Sequence, residues 1–251
     1  MKLGTLITLF FSFTSVFFGQ DTNYTDSKGM KQGIWIKKFE NGNTRYTGQF
    51  KDNKPYGTFI YYYENGKTSS IMNYDGNTAR TTVFYEEGKI KAKGNYKNQQ
   101  KDSIWNYYSL ADFKISEELY VNGKKQGTVK NFFQDGKIAE QKEFVNDIEE
   151  GDWKQFYENG QLRMVSTYTK GSLEGKTYYY DRTGKKMIEG NFYHNVRHGA
   201  WLYFDEKGEI TKKEIFINGT LQGEPNLIKE DQEIRESQDQ LEFEDMLPPR
   251  N

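Results

Sequence analysis

The stretch "FYENGQLRMVSTYTKGSLEGKTYYY", residues 156–180, decides how the chain reads. An aromatic pair runs into Glu-Asn-Gly, a polar and aromatic strand follows, and a second turn leads to a glycine and three tyrosines. Asn-Gly is the dipeptide that accepts positive φ at both centres of a type I′ turn, so the stretch is written as a β-hairpin. The same order recurs on both sides of it. With Gly33 as position 1, equivalent units start at Gly57, Ala79, Ser103, Gly127, Gly151, Gly175 and Gly199, and Gly223 closes the series. The spacing is 24 residues at every step except the second, which is 22. Upstream, "KGMKQG" (28–33) matches "NGKKQG" (122–127), a degenerate half-unit before the first full one.

Position 18 is aromatic in all eight units: Phe50, Tyr74, Tyr96, Tyr120, Phe144, Tyr168, Phe192 and Phe216. Position 6 is aromatic in seven, as Tyr62, Phe84, Tyr108, Phe132, Phe156, Tyr180 and Phe204, with Lys38 the exception. Position 10 is glycine in seven and Asp112 in the other, and position 3 is Trp35, Phe59, Trp105, Trp153 or Trp201 in five. A period of this length marks a repeat architecture in which each unit buries its apolar side chains against its neighbours. The fold class expected is all-β, an elongated single-layer antiparallel meander of about eight tandem hairpins. With an even-numbered loop, position 18 lies opposite position 1 on the face of the position-3 ring, and position 6 points to the other face. Glycine at position 1 is expected to leave room for the facing ring to lie across bare backbone. An odd loop or a bulge would exchange these faces.

Composition agrees. The 251 residues are 28% charged and hydrophilic on average, yet 16% are aromatic, unlike a disordered chain. There is no cysteine, so no disulfide supports the fold. Residues 1–20, with Lys2 before an apolar run ending near Gly19, read as a secretory signal peptide, and the rival is an uncleaved anchor. No later segment has the length and apolarity of a membrane-spanning helix. The expected organisation is a signal peptide (1–20), a linker and half-repeat (21–32), eight repeats (33–222) and an acidic tail (223–251). The expected location is secreted, periplasmic or at the cell envelope.

The units "GDWKQFYENGQLRMVSTYTKGSLEG" (151–175) and "GAWLYFDEKGEITKKEIFINGTLQG" (199–223) resemble MORN-type repeats in the variant form common in exported bacterial proteins, some of which carry an antitoxin-like label. The resemblance implies β-hairpin units used for protein contacts, scaffolding or lipid association. The chain lacks the Tyr-x-Gly-x-Trp opening of the eukaryotic units, and the lipid role is not carried over.

Residues 224–251 hold nine acidic and three basic side chains, whereas residues 21–223 hold 31 basic and 27 acidic. A mildly basic body permits the tail to dock on it. Leu227, Ile234 and Leu241 lie seven apart after Pro225, which gives two readings, a short helix capping the last strand or a disordered acidic tail. The body's excess charge is too small to point to nucleic acid.

His194 and His198, in "HNVRH", have the spacing of a helical zinc pair but fall at a turn, where both are expected to be exposed, without a third ligand. No metal and no cofactor is expected. Position-8 glutamates (Glu40, Glu64, Glu86, Glu158) recur as turn chemistry recurs, and no nucleophile or phosphate-loop motif is present, so the chain is not read as an enzyme. Rings at positions 3 and 18 are assigned to packing. The position-6 row, Tyr62 to Phe204, is the candidate binding surface, because its face otherwise carries polar residues such as Asn106, Lys130 and Lys154. The leading expectation is a protein partner. The alternatives are a carbohydrate- or peptidoglycan-binding module stacking sugars on that row, and an antitoxin-like neutraliser of a toxin.

Overall fold

The computed structural model describes residues 22–222, all of whose regular structure is antiparallel strand. The signal segment and the capping helix expected at the ends lie outside the described residues. The chain divides into two compact units, one ending at Gly76 and one beginning at Asn77.

The first holds β1 (Tyr24–Thr25), β2 (Lys31–Lys38), β3 (Thr44–Lys51), β4 (Lys54–Tyr62) and β5 (Thr68–Asp75). The second opens with β6 (Thr78–Phe84), β7 (Ile90–Lys97), β8 (Gln100–Tyr108), β9 (Lys114–Val121), β10 (Lys124–Lys125), β11 (Gly127–Phe132) and β12 (Ile138–Val145). It continues with β13 (Ile148–Phe156), β14 (Leu162–Thr169), β15 (Ser172–Leu173), β16 (Gly175–Tyr180), β17 (Lys186–Tyr193), β18 (Val196–Phe204), β19 (Ile210–Ile217) and β20 (Thr220–Leu221). Within each unit, order in space follows order in sequence, an open meander of hairpins.

The loop at positions 7–11 is not the type I′ turn expected from Asn-Gly. In Phe39–Asn43 the amide of Gly42 donates to the Phe39 carbonyl (3.1 Å) and the amide of Phe39 to Asn43 (2.8 Å), closing a three-residue loop. Only the glycine has positive φ (86°), so this is a type I turn followed by a left-handed residue. Asn41 keeps ordinary φ and instead accepts from the Asn43 amide through Oδ1 (3.0 Å). The same loop closes at Gly66, Gly88, Gly136, Gly160, Gly184 and Gly208, and at Asp112 with φ 70°.

An odd loop would have exchanged the faces. One bulged residue at position 13 restores them: Lys37 pairs with Tyr46 but Lys38 with Thr44, leaving Arg45 over. Gly33 then lies opposite Phe50 and Trp35 opposite Gly48, as an even loop would place them.

The type I′ turns sit at the other end of the strands, at positions 20–21. Asp52-Asn53, Asn98-Gln99, Asn146-Asp147 and His194-Asn195 have both residues at positive φ, as do Asn122-Gly123, Lys170-Gly171 and Asn218-Gly219.

Position 1 departs from expectation as well. Gly57, Gly175 and Gly199 have φ of 66–75° and open space where a Cβ would stand, so they serve a bend and not a ring. Around them three residues oppose one: Gln49 pairs with Tyr56 and Thr47 with Ile60. The 22-residue step lacks two residues at this place, and its Ala79 has no left-handed φ.

Bare backbone under a ring is found instead at position 16. A Cβ on Gly48 would stand 2.2 Å from the Phe59 ring, and one on Gly94 or Gly190 would stand 2.3 Å from Trp105 or Trp201. Each ring comes from position 3 of the following repeat. Where position 16 is larger, that ring shrinks, as in Glu118 before Val129 and Ser166 before Thr177. Lys142 before Trp153 is the exception, with the lysine amine 5.1 Å from the ring centroid.

Candidate functional site

One face of the meander is spent on packing. Trp105 and Trp201 are 1% exposed and Phe59 2%, although the described residues of each unit form a single layer of sheet. Neighbours in that layer close over them. Trp105 meets Tyr96 edge-on at 5.1 Å and Tyr107 at 6.3 Å, within a cluster completed by Ala92, Tyr120 and Val83. Cations at position 23 lie over the rings: Lys31 at 4.6 Å from Trp35, Lys101 at 4.8 Å from Trp105 and Arg197 at 4.2 Å from Trp201. Their aliphatic stems cover apolar surface while the charge stays wet. Burial first, and then the hydrogen bond to Glu118 (2.6 Å), push the Tyr120 hydroxyl far above the ordinary tyrosine range. It is a packing group with a fixed donor.

The other face carries positions 2, 4, 6, 15 and 17. Tyr62 in the first unit, and Phe84, Tyr108, Phe132, Phe156, Tyr180 and Phe204 in the second, all point away from the tryptophan face and are half-buried. In the second unit successive rings stand roughly 10 Å apart, two strand spacings. Polar residues separate them. Lys114 lies 4.4 Å from the Phe132 centroid and pairs with Glu117 at 2.7 Å, and Lys130 reaches the same carboxylate at 3.3 Å. Those lysine hydrogen bonds outweigh burial and hold the Glu117 carboxyl below its usual range.

The histidines have structural roles. At position 24, Gln32, Gln126, Glu150 and Glu174 accept the turn amide twenty residues on, that of Asp52, Asn146, Lys170 and His194, at 2.7–3.2 Å. His198 takes the next place, its Nδ1 accepting from the Asn218 amide at 3.4 Å. His194 is exposed as expected, 2.8 Å from Glu174, whereas His198 is half-buried by its place against the next turn. Among the described residues no three His, Cys, Asp or Glu side chains form a metal cluster.

Sequence reading passed over the loop edge. Position 7 is aromatic in Phe39, Tyr63, Tyr85, Phe133 and Tyr157. Two of these tyrosines donate to the position-6 carbonyl of the next repeat: Tyr85 to Tyr108 (2.9 Å) and Tyr157 to Tyr180 (2.8 Å). Beside them a groove of about 340 Å³ is lined by Phe133, Phe156, Tyr157, Glu158, Arg163 and Arg182. The Arg182 guanidinium lies 5.5 Å from the Tyr157 centroid. Arg163 is a bulge residue, and Arg182 stands where five other repeats carry glutamate and Leu110 and Gln134 complete the row. That break in the row was the available signal.

The MORN repeat variant model matches residues 31–52, 55–75, 78–98, 125–146 and 149–170. The chain is a MORN-type repeat protein. The strands at 100–121 and 172–221, outside those windows, keep the loop, bulge and register of the matched units. MORN repeats often mediate protein–protein or membrane contacts, and here they form an all-β array. No helix among the described residues is long and apolar enough to cross a membrane. A search of curated proteins found no match.

Proposed function

We propose that this MORN-type chain is a non-enzymatic binding protein, exported by residues 1–20 to the cell envelope, whose position-6 face meets a protein partner. The observation that carries the reading is the division of labour between faces. Within each unit, glycine-backed rings and overlying cations fill the tryptophan face, while the position-6 rings, one in the first unit and six in the second, stay half-exposed on the other, set among lysine, glutamate and asparagine. Rings in a polar surround at a regular spacing suit hot-spot contacts to a protein. The carboxylates with assigned partners serve turns and ion pairs within the array, which supports a binding role over catalysis.

The test compares the full chain with a Phe156→Ala/Tyr180→Ala variant in quantitative affinity capture and on a glycan array. The expected result is a stoichiometric protein lost with the double variant and retained with an Ile104→Ala control at position 2 of the same face. Glycan binding abolished by the same pair would replace the reading with sugar recognition. Intact-mass measurement of the exported chain, expected to start near Gln20, tests the location.

A further inference from the structure

The groove at the loop edge of the fifth to seventh repeats breaks the pattern around it. Its floor is apolar, made by Phe133, Phe156 and Tyr157, and its rim carries two guanidinium groups. Neither Arg163 nor Arg182 forms an ion pair with a carboxylate among the described residues, and Glu158 is the one acid in the lining. The Glu158 backbone carbonyl accepts from Lys137 (2.8 Å), whose amine is paired with Asp135 (2.8 Å) and adds no free cation to the groove. Elsewhere a basic bulge residue is followed by a different partner at position 8: Arg45 by Glu64 and Lys91 by Leu110. Only here do two arginines meet. Two like charges over an apolar floor repel each other unless an anion joins them, and arginine is suited to take a carboxylate through two parallel hydrogen bonds.

We infer that this groove is a carboxylate-binding site whose occupant is the chain's own acidic segment within residues 224–251. Three observations select that occupant. The segment has nine acidic and three basic residues, opposite in sign to the body. Its run "LEFEDML" (241–247) combines four apolar side chains with three carboxylates, the chemistry that suits aromatic rings beside two guanidinium groups. It is also within reach. The groove residues lie one to three repeats from Gln222 and one strand length across the sheet, a span of about 30–45 Å at ordinary strand spacings. The nineteen residues from Gly223 to Leu241 can span at most about 65 Å of chain, so the tether is long enough to bring the segment there.

The test is photo-crosslinking in the full chain with p-benzoylphenylalanine at Phe133. The expected product is an intramolecular link to residues 236–247, found by peptide mapping of the monomer band. Its yield falls at least five-fold in an Arg163→Ala/Arg182→Glu variant and in 0.5 M salt. Both substitutions place residues that other repeats carry at the same positions (Ala139 and Glu206), so the variant is expected to keep its β circular dichroism. Links to another part of the chain, to a second copy or to a foreign acidic protein would overturn the inference. So would a yield that charge reversal leaves unchanged. None of these readouts depends on a partner for the position-6 face.

Discussion

Gly190→Ala isolates the pairing of bare backbone with a ring. The added Cβ would stand 2.3 Å from Cδ2 and 2.4 Å from Cε2 of Trp201, where ordinary contact begins at 3.4 Å. The indole must therefore retreat by about 1 Å, a shift that a close-packed site resists. Phe192 blocks it edge-on at 5.4 Å, Phe216 at 6.2 Å and Tyr179 at 6.4 Å, with the Arg197 guanidinium 4.2 Å above. The indole Nε1 is also held by the Asn191 carbonyl at 3.2 Å. Overpacking of this kind costs about 1–3 kcal/mol. Alanine returns about 0.4–1 kcal/mol by narrowing the unfolded ensemble. The net expectation is a loss of about 1–2 kcal/mol, read as a lower urea midpoint at constant slope by tryptophan fluorescence. In a Trp201→Thr background, Gly190→Ser recreates the Ser166–Thr177 pair, and its cost should vanish, a coupling of about 1 kcal/mol or more. Gly199→Ala is the control: its Cβ meets open space at φ 68°, so it costs about 1–2 kcal/mol in backbone strain and couples to nothing. Equal costs for Gly190→Ser in both backgrounds, or a midpoint unmoved by Gly190→Ala, would refute the reasoning.

Asp112→Gly places glycine where the other seven loops have it, at φ 70°, and should raise stability by a few tenths to about 1 kcal/mol in the same assay; a lower midpoint would contradict it. Glu174→Ala removes the acceptor of the His194 amide (3.0 Å) and should cost about 0.5–1.5 kcal/mol, with faster hydrogen exchange confined to that turn. Glu140 predicts a pH dependence. Burial raises its pKa, but hydrogen bonds from Trp153, Gln155 and Asn131 outweigh it and leave the carboxyl below the usual 4.5. A depressed folded pKa gives stability that is complete above the unfolded value and is lost as pH falls through the folded one. Glu140→Gln should therefore flatten the acid limb of the stability profile below about pH 4.5, while parallel limbs would show that the carboxylate is not held as described.

Much of this was legible because a 24-residue period repeats its own evidence. Position 18 announced the packing face, and alternation carried position 6 to the opposite one. The turns were misassigned because Asn-Gly serves two loop types. The deciding residue, bulged Arg45 or Arg163, has no fixed identity: serine, lysine, isoleucine, alanine, methionine and threonine also occupy that place. Backbone geometry, not side-chain chemistry, sets it. Glycine's two uses were likewise confused, since positive φ at Gly199 and ring space at Gly190 look identical in sequence. The turn position of His194 and His198 and the lack of a third ligand already spoke against a metal, but the place of His198 in a column of glutamine and glutamate side chains, each accepting a turn amide, became visible only in three dimensions. The groove was hidden because it lies between repeats, where Arg163 and Arg182 are nineteen residues apart in sequence.

One hairpin unit, defined from the position-1 bend, is the element of which the protein is made. Excising residues 127–150 tests it directly, because the cut joins Gln126 to Gly151 in register and removes one whole unit. The shortened chain is expected to unfold cooperatively, with unchanged β circular dichroism per residue and a urea slope lower by roughly an eighth, as one of eight units is lost. Excising residues 127–138 instead places a position-13 residue after position 24 and should abolish cooperative unfolding. If both deletions fold equally well, or neither folds, the unit is not the building block described.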